Sequence, residues 1–172
     1  MKTKKGFFFI MDLIIGLVLL VGGIIFILGF SAYAQNPYQL DVYATDFLSQ
    51  LSYTTVEQMT ADGNIQRAIA DGHIDLLSED KDKSLLQIII ELNQSDVPAQ
   101  NDHARNITRS AATDAIGAGV EYVFLIDGAE FFSSGADFED ARQQIVKRKI
   151  FVGKENATTL LGPYVVEVRV WY

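Results

Sequence analysis

The first 30 residues contain a long apolar run, which is the strongest pattern in the chain. From Phe7 to Phe30 the only ionisable residue is Asp12, and the others are Phe, Ile, Leu, Val, Met and Gly. A helix needs about 20 mostly apolar residues to cross a bilayer. The pattern therefore predicts a membrane-spanning apolar helix over residues 7–36.

Positive charge is distributed unequally on the two sides of this run. Lys2, Lys4 and Lys5 precede it, and the next positively charged residue is Arg67. An excess of Lys and Arg on one side keeps that side in the cytoplasm. We therefore expect a cytoplasmic N-terminus and an external C-terminal part.

Beyond the apolar run the pattern becomes amphipathic. Leu40, Tyr43, Phe47 and Leu51 recur at helical spacing and predict an amphipathic continuation of the helix over residues 37–60. The turn-forming sequence Asp62-Gly63-Asn64 is expected to end it.

A helical connector is predicted next, with one short helical turn in residues 64–83. Residues 84–93 are dominated by Leu and Ile and predict a buried helix, for which Ser84 and Gln87 form a capping box. A turn around Pro98 and a more polar helix over residues 102–116 complete this part.

The hydrophobic period changes to two after residue 119. Val120, Tyr122, Phe124 and Ile126 alternate with other residues, and Asp127-Gly128 is a strong two-residue hairpin signal. Further strands are predicted at residues 129–134, 143–152 and 163–172. The predicted fold class is α+β: a long N-terminal apolar helix, a helical connector and a small antiparallel sheet, with residues 61–172 forming an external head domain.

The start of the chain resembles a known processing signal. The sequence Lys4-Lys5-Gly6-Phe7, followed by an apolar run that contains an early acid, is similar to the class III signal peptide of archaeal type IV pilins. The resemblance implies that a prepilin peptidase removes residues 1–6 by cleavage between Gly6 and Phe7, and that the apolar helix remains as the filament core. Asp12 would be the sixth mature residue, whereas the bacterial pattern has a glutamate at the fifth.

Five residues of the apolar run are candidate assembly residues in addition to Phe7. Asp12 is expected to meet the α-amine of Phe7 in a neighbouring subunit, since an acid in an apolar helix usually pairs. The alternative places Asp12 near the cytoplasmic interface, where it reaches water at little cost. Small residues let helix backbones approach each other closely, and glycines seven residues apart recur on nearly the same side. The glycines with this spacing are Gly16 and Gly23, and Gly22 and Gly29.

Composition excludes several functional classes. The formal net charge is −8, which disfavours nucleic-acid binding, and the chain contains zero cysteines and therefore has no disulfide or thiolate chemistry. His73 and His103 lie in separate polar segments and are expected to be solvated. A calcium-loop template fits Asp80, Asp82, Ser84 and Glu91 but has Leu85 where glycine is required. No catalytic set, metal site or cofactor motif is predicted, and the acids of Glu139-Asp140 are expected to solvate a loop.

Three sequons, at Asn93, Asn106 and Asn156, lie in the part predicted to be external and are candidate N-glycosylation sites.

The expected function is that of a structural subunit. The chain is predicted to polymerise with identical or related pilin subunits into an archaeal type IV pilus-like surface filament, after insertion into the membrane and handling by the pilus assembly machinery. The expected role is adhesion or surface attachment, and the sequence does not separate this role from motility in a filament of the archaellum type. One alternative is a signal-anchored extracellular binding domain that does not polymerise. Another is a secreted hydrolase released at the Ala32-Tyr33-Ala34 site, with a mature N-terminus at Gln35.

Overall fold

The computed structural model describes residues 13–26, 37–135, 141, 143–154 and 160–172. The chain divides into two units. The first, Met1–Asn36, contains helix α1, residues 13–26. The second, Pro37–Tyr172, contains every other described helix and strand.

Helix α1 is shorter than the sequence predicts. Its described part has 14 residues, which correspond to about 21 Å at 1.5 Å per residue, less than the roughly 30 Å of a bilayer's hydrocarbon core. Within the described ranges, no helix combines the length and apolarity that a membrane crossing requires. The prediction of a long, membrane-spanning apolar helix over residues 7–36 is therefore wrong.

The physical reason is that an apolar run predicts which residues avoid water but does not predict how many of them form a helix. Three glycines and six β-branched residues lower the helix propensity of α1. Its side chains are exposed, so tertiary packing, the main source of helix stability in proteins, contributes little here.

Helix α2 spans Pro37–Tyr53 and ends well before residue 60. Its buried residues, Leu40, Ala44, Phe47, Leu48 and Leu51, confirm the predicted amphipathic face. The chain then turns away, and Thr55 forms an isolated antiparallel bridge with Ser84. The backbone bonds of this bridge, from Val56 N–H to Lys83 O and from Leu85 N–H to Thr54 O, replace the helical continuation.

Three further helices follow: α3 at Gly63–Ala70, α4 at Leu85–Gln94 and α5 at Pro98–Ala115. Asp62 starts α3 instead of ending α2, because its carboxylate accepts the N–H groups of Asn64 and Ile65. Pro98 is the first residue of α5, where a missing N–H costs nothing, so the predicted turn is a helix start. The buried helix α4 and its Ser84 N-cap are confirmed.

The sheet is antiparallel and four-stranded, in the order β2-β1-β4-β3. Its strands are β1 (Glu121–Ile126), β2 (Ala129–Ser133), β3 (Gln144–Lys154) and β4 (Leu160–Trp171). Asp127 and Gly128 both have positive φ, 51° and 79°, as a tight hairpin turn requires. The α+β class and the antiparallel sheet of the prediction are confirmed.

Helix α2 lies on one face of the sheet and forms the centre of the core. The Phe47 ring packs edge-on to Phe124 at 5.8 Å and tilted against Tyr122 at 6.1 Å between ring centroids. The opposite face carries a smaller apolar cluster of Val123, Leu125 and Trp171. Beside this cluster Glu167, only 6% exposed, accepts hydrogen bonds from Arg148 and Arg169.

Candidate functional site

The surface of α1 consists entirely of exposed apolar side chains and glycine. Eleven of its 14 residues are large hydrophobics, each 46% to 71% exposed, and the other three are Gly16, Gly22 and Gly23. Monomeric soluble proteins rarely expose contiguous apolar patches of more than a few hundred Å². The surface of α1 is therefore suited to contact with another apolar surface.

The glycines of α1 pack against nothing in the part of the chain that the structure describes. A Cβ atom built at Gly16, Gly22 or Gly23 meets no atom of these residues within 4 Å. The described residues therefore give no reason for a small residue at these positions, whereas a helix packed from outside would.

Several predicted site residues lie outside the described residues. These are the predicted cleavage pair Gly6 and Phe7, the assembly residues Asp12 and Gly29, the sequon residue Asn156, and the acidic pair Glu139-Asp140.

The two described sequons lie on helices. Asn93 is in the last turn of α4, and the hydroxyl of Ser95 in its sequon accepts the Val97 N–H. Asn106 is in the middle of α5, and Thr108 of its sequon is fully buried, with its hydroxyl bonded to Ala104 O. A transferase that must engage both sequon residues can therefore reach Asn106 only in the unfolded chain.

The structure brings together two histidines that the sequence analysis treated as separate. The rings of His73 and His103 lie 5.2 Å apart between centroids. His103 Nε2 is 3.0 Å from Asp71 Oδ2, and Gln100 Nε2 is 3.2 Å from His73 Nδ1. Both histidines are partly buried, so the prediction of solvated side chains is wrong. No local signal identifies this pair, because the packing of α3 on α5 creates it.

Two acids of the calcium template converge on an internal cation. Lys83 Nζ lies 2.8 Å from Asp80 Oδ1 and 2.7 Å from Glu91 Oε2. Gln87 donates to Glu91 and also to the backbone oxygen of Lys154, at 2.6 Å. Lys83 thus occupies the position between the carboxylates, and the network joins α4 to the end of β3.

Among the described residues, three carboxylates have a lowered pKa in the folded chain. Burial by itself raises the pKa of Glu167, but Arg169 and Arg148 outweigh it and hold that pKa below its ordinary value. Burial also raises the pKa of Asp80, but the hydrogen bonds that its carboxylate accepts from the Asp75 N–H and from Lys83 outweigh burial and lower that pKa. At Asp62, burial is outweighed by Ser110 and by the N–H groups that it caps. These acids remain ionised and paired.

Among the cavities lined by described residues, two are shallow and lie in the second unit. One, of about 270 Å³, is next to the turn from α5 to β1, and the other, of about 230 Å³, lies between α2 and β3. Both are below the usual size of small-molecule pockets. The second is lined by Tyr53, Lys147, Arg148 and Lys149 among others, so its chemistry is basic.

The side chains that close this basic cavity join α2 to β3. Lys147 Nζ lies 2.7 Å from Asp41 Oδ1 of α2, and Lys149 Nζ lies 4.3 Å above the Tyr53 ring.

Comparisons with protein-family models, with curated proteins and with solved structures found no match to this chain.

Proposed function

We propose that the chain is a structural subunit of an archaeal type IV pilus-like surface filament that serves adhesion. In this proposal the leader ending at Gly6 is removed, and subunits associate through α1. The second unit, Pro37–Tyr172, is the head that each subunit displays on the filament.

The observation that carries the proposal is the surface of α1. Removing apolar surface from water is worth about 25 cal/mol per Å². Helices that consist only of large apolar residues and glycine can cover one another, and the glycines allow their backbones to approach closely. A self-association helix therefore accounts both for the exposed apolar residues and for glycines that pack against nothing in the described part of the chain.

Two features of the head are consistent with display on a surface. It has its own extensive core, in which α2, α4 and α5 pack with the inner face of the sheet. Its composition is acidic, and it contains sequons besides the one at Asn106, whose Thr108 is buried. A head with its own core can remain folded while α1 is engaged elsewhere.

The experiment is to determine the mature N-terminus and the assembly state of the natural product. We expect mass spectrometry of surface material to give Phe7 as the first residue, and electron microscopy to show filaments that contain this chain. A Gly6→Leu variant should retain residues 1–6 and form no filaments, whereas Thr3→Ser, a change in the leader away from the cleavage site, should be processed normally.

Other N-termini would support the alternatives. A product that starts at Met1 or Lys2 and forms no filaments would indicate a lone anchored domain. A soluble product that starts at Gln35 would indicate a secreted protein, and either result would refute the proposal.

A further inference from the structure

A second candidate contact surface lies on the head, at the edge of the sheet. Strand β3 is an edge strand and carries four Lys or Arg residues and no acid, although acids outnumber bases 22 to 14 in the chain as a whole. Three apolar residues on the same strand are also exposed: Val146, Ile150 and Val152, of which Ile150 is 70% exposed. We call this surface the basic strand.

The exposed residues of the basic strand lie on one face. Side chains along a strand alternate between faces, and Val146, Arg148, Ile150 and Val152 are all exposed, whereas the positions between them are partly buried. The partly buried Lys147 and Lys149 contact α2. The exposed face of the strand therefore presents an apolar stripe that includes Arg148, which is paired with Glu167, and the exposed Lys154 lies at its end.

The same head carries a surface of opposite character. The segment of residues 75–82, here called the acidic loop, contains four acids and one lysine. Leu77 at its tip is 99% exposed, the highest value among the exposed large hydrophobics. Leu77 is therefore an exposed apolar side chain, here called the knob, in a segment of acidic composition.

Hydrogen bonds hold the acidic loop in one conformation. The Leu77 N–H donates to Asp75 Oδ1 at 2.9 Å, and the Asp75 N–H donates to Asp80 Oδ2 at 3.0 Å. The Ser78 hydroxyl donates to Asp75 O at 2.7 Å, and Lys83 pairs with Asp80. The knob is therefore preorganised, which lowers the entropic cost of binding.

We propose that the acidic loop of one copy docks on the basic strand of a second copy, with Leu77 on the stripe of Val146, Ile150 and Val152. The charges of the two surfaces are opposite, and their apolar parts are both exposed. Leu77 is 99% exposed among the described residues, so it is accessible to a second copy.

Charge also selects between modes of self-association. Pairing β3 with β3 of a second copy would place Lys and Arg side chains against each other, and like charges on adjacent strands are destabilising. Contact between two different surfaces is heterologous, and such contacts can propagate into open helical assemblies. The inference rests on the proposed filament function, in which α1 holds many heads close together and makes a weak contact between them effective.

The test uses cross-linking, because the chain has zero cysteines and every introduced thiol is unique. Full-length Leu77→Cys and Ile150→Cys chains with different tags are produced together, and then treated with a short bis-maleimide, in surface filaments and in detergent extracts. We expect a product that contains both tags. The matched control replaces Ile150→Cys with Val97→Cys, which is also an exposed apolar position, and should give no such product.

Charge reversal tests complementarity with the same readout. Asp82→Lys on the Leu77→Cys chain, or Lys154→Glu on the Ile150→Cys chain, should each lower the mixed product by about tenfold, because juxtaposed like charges oppose the contact. Combining the two reversals should restore it.

The outcomes separate this inference from the proposed function. Filaments without the mixed product, or with equal product from the Val97→Cys control, would overturn the docking contact and leave the filament proposal standing. Mixed product in detergent from cells that make no filaments would support the contact and refute the filament role. Failure of the combined reversals to restore the product would overturn the charge complementarity.

Discussion

At the scale of single residues, Glu167 is a buried carboxylate of the sheet that is paired with two arginines. It is almost fully buried on β4 and accepts hydrogen bonds from Arg148 of the neighbouring strand and Arg169 of its own. A buried carboxylate is tolerated only when it is paired, because burial without partners disfavours the charge. Pairing with the two arginines therefore allows a buried acid at this position.

Replacing Glu167 by Gln should destabilise the head. We expect a loss of about 1–3 kcal/mol in the free energy of unfolding, because both charge-assisted hydrogen bonds lose their anionic acceptor. The measurement is urea unfolding of the full chain in detergent, followed by the fluorescence of Trp171, the only tryptophan, which is 3% exposed. Glu130→Gln, at an exposed position of β2, is the control and should change stability by less than about 0.5 kcal/mol. Equal effects would show that the buried pairing contributes nothing.

At the scale of elements, the start of α3 shows how one acid sets a helix boundary. Asp62 caps the N–H groups of Asn64 and Ile65 and also accepts the Ser110 hydroxyl of α5, at 2.5 Å. The same carboxylate therefore begins one helix and attaches it to another.

Asp62→Ala should lower the free energy of unfolding by about 1 kcal/mol, the usual cost of losing an N-cap. Asp62→Asn retains a side-chain oxygen that can accept from the cap N–H groups and should lose less. Thermal unfolding followed by circular dichroism compares the two. If Asn costs as much as Ala, the stabilisation comes from charge and not from capping.

Helix α1 gives a prediction about assembly. Gly23→Leu should leave the unfolding of the head unchanged, because the new side chain meets nothing in the described part of its own chain, yet it should reduce filament number by preventing close helix approach. Val21→Leu, two residues away at a position that is already large and exposed, is the matched control. The measurement is the number of filaments that each variant forms, counted by electron microscopy. Equal counts for the two variants would contradict a packing role for Gly23.

At the scale of the whole molecule, the described charges are segregated. The basic strand lies at one edge of the sheet, and the acidic loop precedes α4. Paired carboxylates at Asp62, Asp80 and Glu167 add stability that depends on their ionisation.

These three acids predict the acid sensitivity of the head. Each has a folded pKa below its unfolded value, so its contribution is present above the unfolded pKa and is lost as pH falls through the folded pKa. We expect stability to fall below about pH 4, where unfolded Asp and Glu protonate. Urea midpoints between pH 7 and pH 2 measure this effect, and Glu167→Gln should flatten the decline. A midpoint that stays constant over this range would refute the linkage.

The predictions that succeeded rest on local periodicity. The alternation from Val120 to Ile126, the Asp127-Gly128 turn and the apolar run of α4 each specify an element through its own residues. The helix boundaries were predicted wrongly where a residue type is common both in turns and at helix starts. Asp62 and Pro98 were assigned to turns, but they lie at the starts of α3 and α5. Turn residues and helix starts share the same chemistry, so a single sequence does not separate them.

Sequence alone determined the composition of each surface: an apolar N-terminal run, an acidic chain, a basic segment near residue 148 and helices followed by strands. Tertiary structure decided which of these surfaces remain exposed. It paired His73 with His103, directed Asp80 and Glu91 to Lys83, buried Glu167 between two arginines and left Leu77 in water. Periodicity is a property of neighbouring residues, whereas contacts across tens of residues exist only after the helices have packed on the sheet.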